Sequence, residues 1–407
     1  MKSILLVNER FGRYSGAEQH IYVTLPYIAK KMAVSFLYNE DTGKDSQELE
    51  SVIKEKIQYD FEEKAHRAYS ETWKILQQIQ PQMIYVHKCM NIGMLQAFRD
   101  FGCPLIRMQH DHDMYCMRSY KYNPISRKIC TKKAGIACLI PCGASLNRER
   151  QGESSRLVWR SYSKQMQQIK INKSFDEVFV VSEYMKQELI TQGFHKSKIK
   201  IFPPVPLPKN DLPINSYSDE NIIIFATQII RGKGLDCLIN ALALVKTNFK
   251  LYVFGSGSHK QYCQELVRSL KMEDKIIFKG FVSQEELSAI YGSALFGAVP
   301  SVWPEPIATV GLEFLRHGLP VIGFDAGGIK DWLINDQSGY LIPWMNIEKM
   351  AEKIELMLNN KKLVRKLGAS GREFVNTKYN FDNYIERLVN HLLDKAESFV
   401  SHQNLAV

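Results

Sequence analysis

The sequence lacks several features that would place it in other protein classes. No apolar run approaches the ~20 residues that a membrane-spanning helix needs. No internal repeat is visible, and no cysteines or histidines follow the spacing of a zinc finger. These absences disfavour an integral membrane protein, a repeat array and a finger-type nucleic-acid binder. No secretory signal pattern stands at the amino terminus, so we expect a cytoplasmic protein with reduced thiols.

The length and the pattern of short apolar runs favour a two-domain α/β protein. The 407 residues are 45% hydrophobic, which is enough for two cores. Strand-like and helix-like segments alternate in both halves, and this alternation predicts parallel sheets. We predict domains over 1–205 and 221–378, a proline-containing linker over 206–220, and a helical segment over 379–407 that ends the chain.

Two glutamates lie on either side of an apparent strand-to-helix junction. The run Ala294–Val299 predicts a buried strand, and Ala308–His317 predicts a helix closed by glycine. Glu305 falls in the loop and Glu313 inside the helix. Such a spacing also occurs on solvated helices, but Glu313 lies in a largely apolar stretch where an unpaired carboxylate would be costly to bury. A helix N-terminus directly after a strand suits a phosphate.

A basic loop follows another apolar run. Arg231 and Lys233 come shortly after Ile222–Ala226, where a buried strand is expected to end. Alone they would be ordinary solvated cations. Placed near the carboxylates, they favour a diphosphate leaving group, because a glycosidase uses its two acids on a glycosidic oxygen and has no need of such cations.

Together these motifs resemble those of the retaining glycosyltransferases of family 4, and the resemblance covers nearly the whole chain. The matching pieces are the Pro300-Ser301 turn, Glu305 and Glu313 separated by seven residues, the Gly327-Gly328 turn, the Arg231-Gly232-Lys233 loop, and Ser15-Gly16-Ala17-Glu18 after the strand Ser3–Asn8. The resemblance implies the GT-B fold: two Rossmann-like domains whose parallel sheets face a central cleft, with a C-terminal helix that packs back on the first domain.

The resemblance also implies roles for individual residues. Arg231 and Lys233 would hold the diphosphate of a nucleotide sugar, so catalysis would need no cofactor. Glu305 would contact the donor sugar and stabilise an oxocarbenium-like centre, and Glu313 would bind the ribose. His110 would be the cleft histidine near the reacting sugar. The other donor-binding positions expected are Gly16, Gly255, Ile307, Ala308 and Thr309. For Gly255 a plain turn is nearly as good an interpretation, and His112 and Asp113 beside His110 are equally open to a structural role.

Four of the eight cysteines fall within one window. Cys116, Cys130, Cys138 and Cys142 are enough for a structural Zn²⁺ site or an iron–sulfur cluster. Free buried thiols are the second interpretation, and disulfides or redox chemistry the third. We take all four as tentative metal ligands.

The same part of the chain, an insertion at about 113–173, carries the basic excess. From Arg118 to Lys173 the net charge is +11, against +10 for the whole sequence. This predicts an acidic partner, such as an anionic membrane surface or a lipid-linked diphosphate; nucleic acid is disfavoured. Two interpretations of this segment remain equally open: an interfacial amphipathic helix and a solvated helix within the insertion. Its interleaved apolar and basic residues are Leu157, Trp159, Tyr162 and Met166 with Arg156, Arg160 and Lys164.

These inferences predict a nucleotide-sugar-dependent transferase. It would move a hexose-type sugar, with UDP as the expected nucleotide, to a lipid-linked glycan in surface polysaccharide or lipopolysaccharide synthesis, as a cytoplasmic protein peripheral to the inner face of the membrane. A soluble transferase acting on a small metabolite is the first alternative. A non-catalytic binding module on a transferase scaffold is the second.

Overall fold

The computed structural model describes residues 1–14, 16–123, 125–140, 142–151, 154–205 and 220–405. The chain forms two compact units. Unit 1 comprises Met1–Lys121, Thr131–Pro206 and Phe381–Val407, and unit 2 comprises Tyr122–Cys130 and Leu207–Asn380.

Unit 1 contains a parallel sheet of seven strands among its described residues. Its strands, together with those of a small hairpin, are β1 (Lys2–Phe11), β2 (Met32–Asp41), β3 (Glu55–Gln58), β4 (Met83–Val86), β5 (Leu105–Gln109), β6 (Leu146–Gln151), β7 (Ser154–Trp159), β8 (Glu177–Val180) and β9 (Ile199–Ile201). The sheet order is β3-β2-β1-β4-β5-β8-β9, and β6 pairs with β7 antiparallel. All four residues of β4 are buried, as expected for a parallel strand covered on both faces.

Unit 2 contains a second parallel sheet, with six strands among its described residues. These are β10 (Ile222–Ala226), β11 (Lys250–Phe254), β12 (Ile276–Gly280), β13 (Phe296–Val299), β14 (Val321–Phe324) and β15 (Gly339–Ile342). The sheet order is β12-β11-β10-β13-β14-β15. Ile223 and Phe225 of β10 are fully buried in the unit's hydrophobic core.

Helices connect the strands in both units. Those of unit 1 are α1 (Gly16–Ala29), α2 (Ser46–Glu50), α3 (Ala65–Ile79), α4 (Ile92–Phe101), α5 (Tyr162–Ser174) and α6 (Glu183–Thr191). Those of unit 2 are α7 (Leu235–Leu242), α8 (Lys260–Ser269), α9 (Gln284–Tyr291), α10 (Thr309–Arg316), α11 (Ile347–Asn359) and α12 (Lys361–Lys378). The last helix, α13 (Phe381–Leu405), returns to unit 1.

Contacts within unit 1 hold α13 in place. Nε2 of His391 and Nζ of Lys395 bind the two carboxylate oxygens of Glu177 on β8, at 2.5 and 2.9 Å. The ring of Phe381 packs edge-on against Tyr27 of α1. The predicted return of the C-terminal helix to the first domain is therefore confirmed.

Each sheet reverses its strand order at one point, between β1 and β4 in unit 1 and between β10 and β13 in unit 2. Ligands of open α/β sheets bind beyond the carboxyl ends of the strands at such reversals. The loops after β10 and β13 carry Arg231, Lys233 and Glu305, and the loops after β4 and β5 carry His87 and His110.

Two expectations about the insertion were wrong. The first part of the predicted amphipathic helix is a strand, because β7 ends at Trp159 and pairs with β6. Helix α5 begins only at Tyr162, and the side chain of Ser161 caps it. The insertion also does not lie wholly in the first domain, since Tyr122–Cys130 belongs to unit 2. The predicted linker at 206–220 lies outside the described residues except for its last residue.

Candidate functional site

The loops that follow β10 and β13 are joined through their backbones. Arg231–Lys233 forms a single 3-10 turn before α7. The carbonyl oxygen of Gly232 accepts hydrogen bonds from the backbone N–H groups of Val302 and Trp303, at 2.9 and 3.2 Å. This junction brings Lys233 to Glu305, although 72 positions separate them in the sequence.

Three donors converge on one oxygen of Glu305. Oε1 lies 2.7 Å from Nζ of Lys233, 2.7 Å from Nε1 of Trp303 and 2.5 Å from Oγ of Ser301. The ammonium of Lys233 also lies 5.1 Å from the centroid of the Trp303 ring, within cation–π range. Glu305 is only 3% exposed. It is therefore a buried carboxylate whose charge is balanced by one cation and two neutral donors.

These contacts decide the protonation state of Glu305. Burial by itself raises the pKa of a carboxyl group. In Glu305 the charge of Lys233, together with the hydrogen bonds from Lys233, Ser301 and Trp303, outweighs burial and holds the pKa below its usual value. The group is therefore ionised at neutral pH. It can stabilise a positive charge, and it has no proton to give.

The turn after β14 holds the backbone of Glu305. The N–H of Glu305 donates to the carbonyl of Ala326 at 3.2 Å, and the N–H of Gly328 donates to the carbonyl of Glu305 at 2.7 Å. Gly327 has φ +69°, and a Cβ added there would lie 2.4 Å from the carbonyl oxygen of Glu305. Glycine is required here for both reasons.

Helix α10 begins with a residue in an unusual conformation. Ala308 has φ 59° and ψ 71°, in the left-handed region that non-glycine residues rarely adopt, and its side chain provides no cap for the helix. Nε1 of the fully buried Trp332 donates to the carbonyl of Ile307 at 2.5 Å and so fixes the chain just before the helix. The predicted sequence Ile307-Ala308-Thr309 thus forms an N-terminus of the kind that binds anions.

Glu313 has different surroundings from Glu305. It is half-buried in the second turn of α10. The pKa of Tyr291 is raised, first by burial and then by the negative charge of Glu313. The pKa of Arg316 is lowered by burial, and the charge of Glu313 offsets part of that effect. Glu313 therefore lies beside Tyr291 and Arg316. Its role in binding ribose stays a prediction.

Two glycines of the predicted donor site have different local settings. A Cβ added to Gly255, which has φ +115°, would lie 2.2 Å from the carbonyl oxygen of Thr227, so a tight turn requires this glycine. A Cβ added to Gly16, the first residue of α1, would meet nothing within 4 Å. Contact of either glycine with a nucleotide stays a prediction, and Ser15 beside Gly16 lies outside the described residues.

Arg127 supports the basic turn, and sequence reasoning missed it. Its guanidinium pairs with both carboxylate oxygens of Asp236 in the first turn of α7, and Nη2 also donates to the carbonyl of Arg231 at 3.1 Å. Burial opposes ionisation of Asp236, but His259 and Arg127 nearby bring its pKa to about 2. The segment Tyr122–Cys130 therefore holds the backbone that carries Arg231.

In unit 1, His110 lies in a cluster of three histidines. His20 is in the second turn of α1, His87 follows β4 and His110 follows β5. Nδ1 of His87 lies 3.0 Å from Nε2 of His110, and Nε2 of His20 hydrogen-bonds to the hydroxyl of Tyr384. Burial lowers the pKa of His110 to about 4, so its ring is neutral at pH 7. A neutral imidazole can hydrogen-bond a hydroxyl but is a weak base at this pKa.

The neighbours of His110 have partners within unit 1. Nδ1 of His112 lies 2.6 Å from the hydroxyl of Tyr115. Oδ1 of Asp113 accepts from Nε2 of Gln109 at 3.1 Å. Both residues are buried. These contacts support the structural interpretation of His112 and Asp113.

The structure gives no support to the predicted cysteine metal site, which stays a prediction. Among the described residues, which include all four thiols, the three histidines are the group of three or more ligating side chains found close enough to share an ion. Cys130 belongs to the segment that packs in unit 2, whereas Cys116, Cys138 and Cys142 belong to unit 1. Sγ of Cys142 instead accepts a hydrogen bond from Nε of Arg118 at 3.4 Å. All eight cysteines are free.

The basic insertion also exposes large apolar side chains. Leu146 and Trp159 face each other across the β6–β7 pair and are 52% and 74% exposed, and Leu157, two residues from Trp159, is 65% exposed. Ile136 and Ile140 are exposed as well. The side chain of Arg156 lies outside the described residues. No helix in the described part of the chain is both long and apolar enough to cross a membrane.

The residues that sequence reasoning missed had weak signals. His87 follows the apolar run Met83–Val86 just as His110 follows β5, so a search for histidines after buried strands would have found it. Ser301 and Trp303 stand within the glutamate motif, but their convergence on one oxygen depends on the shape of the loop. Arg127 had no signal, because its partner is 109 positions away.

Comparisons with known proteins identify the family. The model of "Glycosyltransferase Family 4" matches residues 14–205, and the model of "Glycosyl transferases group 1" matches residues 209–374. The chain therefore belongs to the family 4, or group 1, glycosyltransferases. An uncharacterized glycosyltransferase of Methanocaldococcus jannaschii is 30% identical over 44% of this chain and 46% of its own length. A GDP-mannose-dependent phosphatidylinositol monomannoside mannosyltransferase of Mycobacterium tuberculosis is 24% identical over 42% and 46%. The chain spans about half the length of the curated relatives it matches.

Solved structures show the same fold over almost the whole chain. The Anabaena protein HepE in complex with UDP has a TM-score of 0.73 at 17% identity, covering 97% of this chain and all of that one. A lipopolysaccharide outer core galactosyltransferase has a TM-score of 0.70 at 14% identity, covering 97% and 99%. The fold is GT-B, as the sequence motifs predicted.

Proposed function

We propose that the chain is a retaining glycosyltransferase that moves a hexose-type sugar from a nucleotide-diphosphate sugar to an acceptor hydroxyl. One observation carries the proposal. The ionised, buried Glu305 binds Lys233 at the carboxyl ends of β10 and β13, with Arg231 on the same turn and an uncapped helix N-terminus directly after the loop. This arrangement combines a group that stabilises positive charge with groups that stabilise negative charge.

The reaction needs both kinds of group. As the bond between the anomeric carbon and the phosphate oxygen breaks, negative charge develops on the diphosphate and positive charge on the sugar. Arg231 is exposed and offers a planar pair of donors, Lys233 offers a compact charge, and the first amides of α10 offer N–H groups. The acceptor hydroxyl forms the new bond to carbon and passes its proton to the departing phosphate. Atoms and charge therefore balance without a metal ion.

The protonation state of Glu305 separates this reaction from hydrolysis by a glycosidase. A glycosidase keeps one carboxylic acid protonated, with a raised pKa, to protonate the leaving oxygen. The lowered pKa of Glu305 is the opposite condition. A permanently ionised carboxylate suits an oxocarbenium-like centre whose leaving group is already an anion. Glu313 we assign to the ribose, and His110 to a hydroxyl of the sugar or acceptor, both by family resemblance.

The donor we propose is a UDP-hexose. The Anabaena neighbour was solved with UDP and with UDP-glucose, whereas the mycobacterial relative is named as GDP-mannose-dependent. The test must therefore include both nucleotides.

For the acceptor we propose a lipid-linked glycan of surface polysaccharide, or lipopolysaccharide, synthesis at the cytoplasmic face of the membrane. The insertion has a net charge of +11 between Arg118 and Lys173 and exposes Leu146, Leu157 and Trp159. Basic residues attract anionic headgroups, and exposed leucine and tryptophan side chains partition into the interface.

The experiment is an incubation of purified protein with a panel of UDP- and GDP-hexoses, with and without anionic vesicles that carry a lipid-linked acceptor. NMR of the product gives the configuration of the new bond. We expect consumption of one donor, retention of configuration, and flotation of the protein with anionic but not neutral vesicles. Turnover without flotation would favour a small-metabolite acceptor. No consumption of any donor would favour a non-catalytic module.

A further inference from the structure

Three imidazole rings of unit 1 converge from separate elements of the fold. His20 comes from α1, and His87 and His110 follow neighbouring parallel strands of the sheet. Their ring centroids lie 5.2 to 5.7 Å apart. One ring nitrogen of each lies within 4.8 Å of the others. Three histidines whose nitrogens meet at one point form the protein part of many transition-metal sites.

One ring nitrogen of the cluster has no hydrogen-bond partner and is free to bind an ion. Nδ1 of His20 is fully buried and unpaired in the structure. A buried polar atom without a partner is costly, and native proteins rarely keep one without a function. Tyr384 meanwhile binds the other nitrogen of His20. A hydrogen bond to the distal nitrogen is the usual support of a metal-binding imidazole.

We propose that His20, His87 and His110 bind one divalent transition-metal ion of the kind that prefers imidazole, such as Zn²⁺ or Co²⁺. The distances fit with a small adjustment. Two nitrogens bound to the same tetrahedral Zn²⁺ at about 2.0–2.1 Å lie about 3.3 Å apart. Nδ1 of His87 and Nε2 of His110 are already 3.0 Å apart, so an ion would replace their hydrogen bond. The largest separation between the three ring nitrogens is at most 4.8 Å. Side-chain movements on the order of 1.5 Å would bring it to the spacing expected around one ion.

The local charges also permit a cation. The carboxylates of Glu18 and Asp113 each act on His110 more strongly than the cations Lys88 and Arg107 do. His110 is the least buried member of the cluster. Three protein ligands leave one coordination position open on a tetrahedral ion.

The site does not rest on the proposed transfer reaction, because metal binding can be measured without any nucleotide sugar. If both the transfer reaction and the metal site are correct, the ion binds the ring nitrogen of His110 that we assign to a sugar or acceptor hydroxyl. Metal binding then inhibits transfer, which places the ion in a regulatory rather than a catalytic role.

The experiment titrates metal-free full-length protein with Co²⁺ alone and records its visible absorption. We expect about one equivalent of bound Co²⁺, with a spectrum of nitrogen and oxygen ligands that lacks the charge-transfer band of thiolates. His87→Phe and His110→Ala should each weaken binding at least tenfold. His66→Ala and His195→Ala, at exposed histidines, should bind as the wild type does.

Thermal unfolding of each metal-free variant shows whether it is folded. If His87→Phe does not fold, the test relies on His110→Ala, which changes the least buried of the three histidines. Excess Co²⁺ should raise the melting temperature of the wild type but not of His110→Ala. The proposal is overturned if the wild type binds no Co²⁺, if His110→Ala binds equally well, or if the spectrum shows thiolate ligands. Failure of nucleotide-sugar turnover would not affect the measured Co²⁺ affinity, the absorption spectrum or the melting temperature.

Discussion

Replacing Lys233 with methionine tests the electrostatic account of Glu305. Methionine keeps most of the aliphatic volume but removes the charge that lies 2.7 Å from a carboxylate with 3% exposure. Removing one partner of a buried ion pair costs about 3–5 kcal/mol, because the other charge is left unpaired. For a domain of this size, 1 kcal/mol corresponds to about 2–4 °C in melting temperature. We therefore expect the transition of unit 2 to fall by roughly 6–20 °C at pH 7.

The loss should depend on pH in a defined direction. In the wild type the folded pKa of Glu305 lies below its usual value, so its contribution to stability is present above the usual carboxyl pKa and is lost as the pH falls through the folded pKa. Without Lys233, burial becomes the dominant effect and the folded pKa rises above the unfolded one. The penalty is then full at pH 7 and is relieved as the carboxyl group is protonated. The gap between the two proteins should narrow between pH 7 and pH 4.

Calorimetric melting at several pH values, with two controls, completes this test. Lys349→Met removes an exposed ion pair with Glu352 and should cost less than about 1 kcal/mol. The double variant Lys233→Met with Glu305→Gln should recover much of the loss, since no buried charge remains. The reasoning is refuted if Lys233→Met melts no lower than Lys349→Met, or if its deficit is the same at pH 7 and pH 4.

Three further predictions concern other contacts. Gly327→Ala should lower the melting temperature more than Gly43→Ala, because both glycines have φ near +70° but only the first would place a Cβ against backbone; equal losses would contradict this account. Arg127→Lys should weaken nucleotide binding severalfold in a calorimetric titration, because an ammonium cannot reproduce the paired contacts to Asp236; unchanged affinity would show that the segment does not shape the basic turn. A thiol reagent, followed by mass spectrometry, should label Cys89, Cys103, Cys237 and Cys263 only after the protein unfolds. These four thiols are buried, and their pKa is raised to about 12. Labelling of any of them in the folded protein would contradict this burial.

Much of unit 2 follows from local sequence. The strand β10 lies where the apolar run Ile222–Ala226 predicts it, because buried parallel strands are nearly continuous in apolar residues. The glutamate motif likewise predicts its strand and helix to within two residues, since both end at proline or glycine.

The contacts of the site could not be predicted in the same way. The ion pair of Lys233 with Glu305 depends on two loops that meet only because β10 and β13 are neighbours in the sheet. The cysteine prediction rested on sequence proximity alone, whereas the structure assigns Cys130 to unit 2 and the other three thiols of that window to unit 1. The strand at Leu157–Trp159 was missed because apolar and basic residues alternating over a short run suit either a helix or a strand.

The most direct measurement for the central claim is a calorimetric titration of nucleoside diphosphates, UDP and GDP, into the wild type and into Arg231→Ala, with Lys246→Ala as a control at a lysine outside the site. We predict that one diphosphate binds the wild type and the control with a stoichiometry near one, and that Arg231→Ala weakens its binding at least tenfold. Equal affinity of all three proteins for the diphosphate, or no binding of either diphosphate to the wild type, would contradict the assignment of this turn to the leaving group.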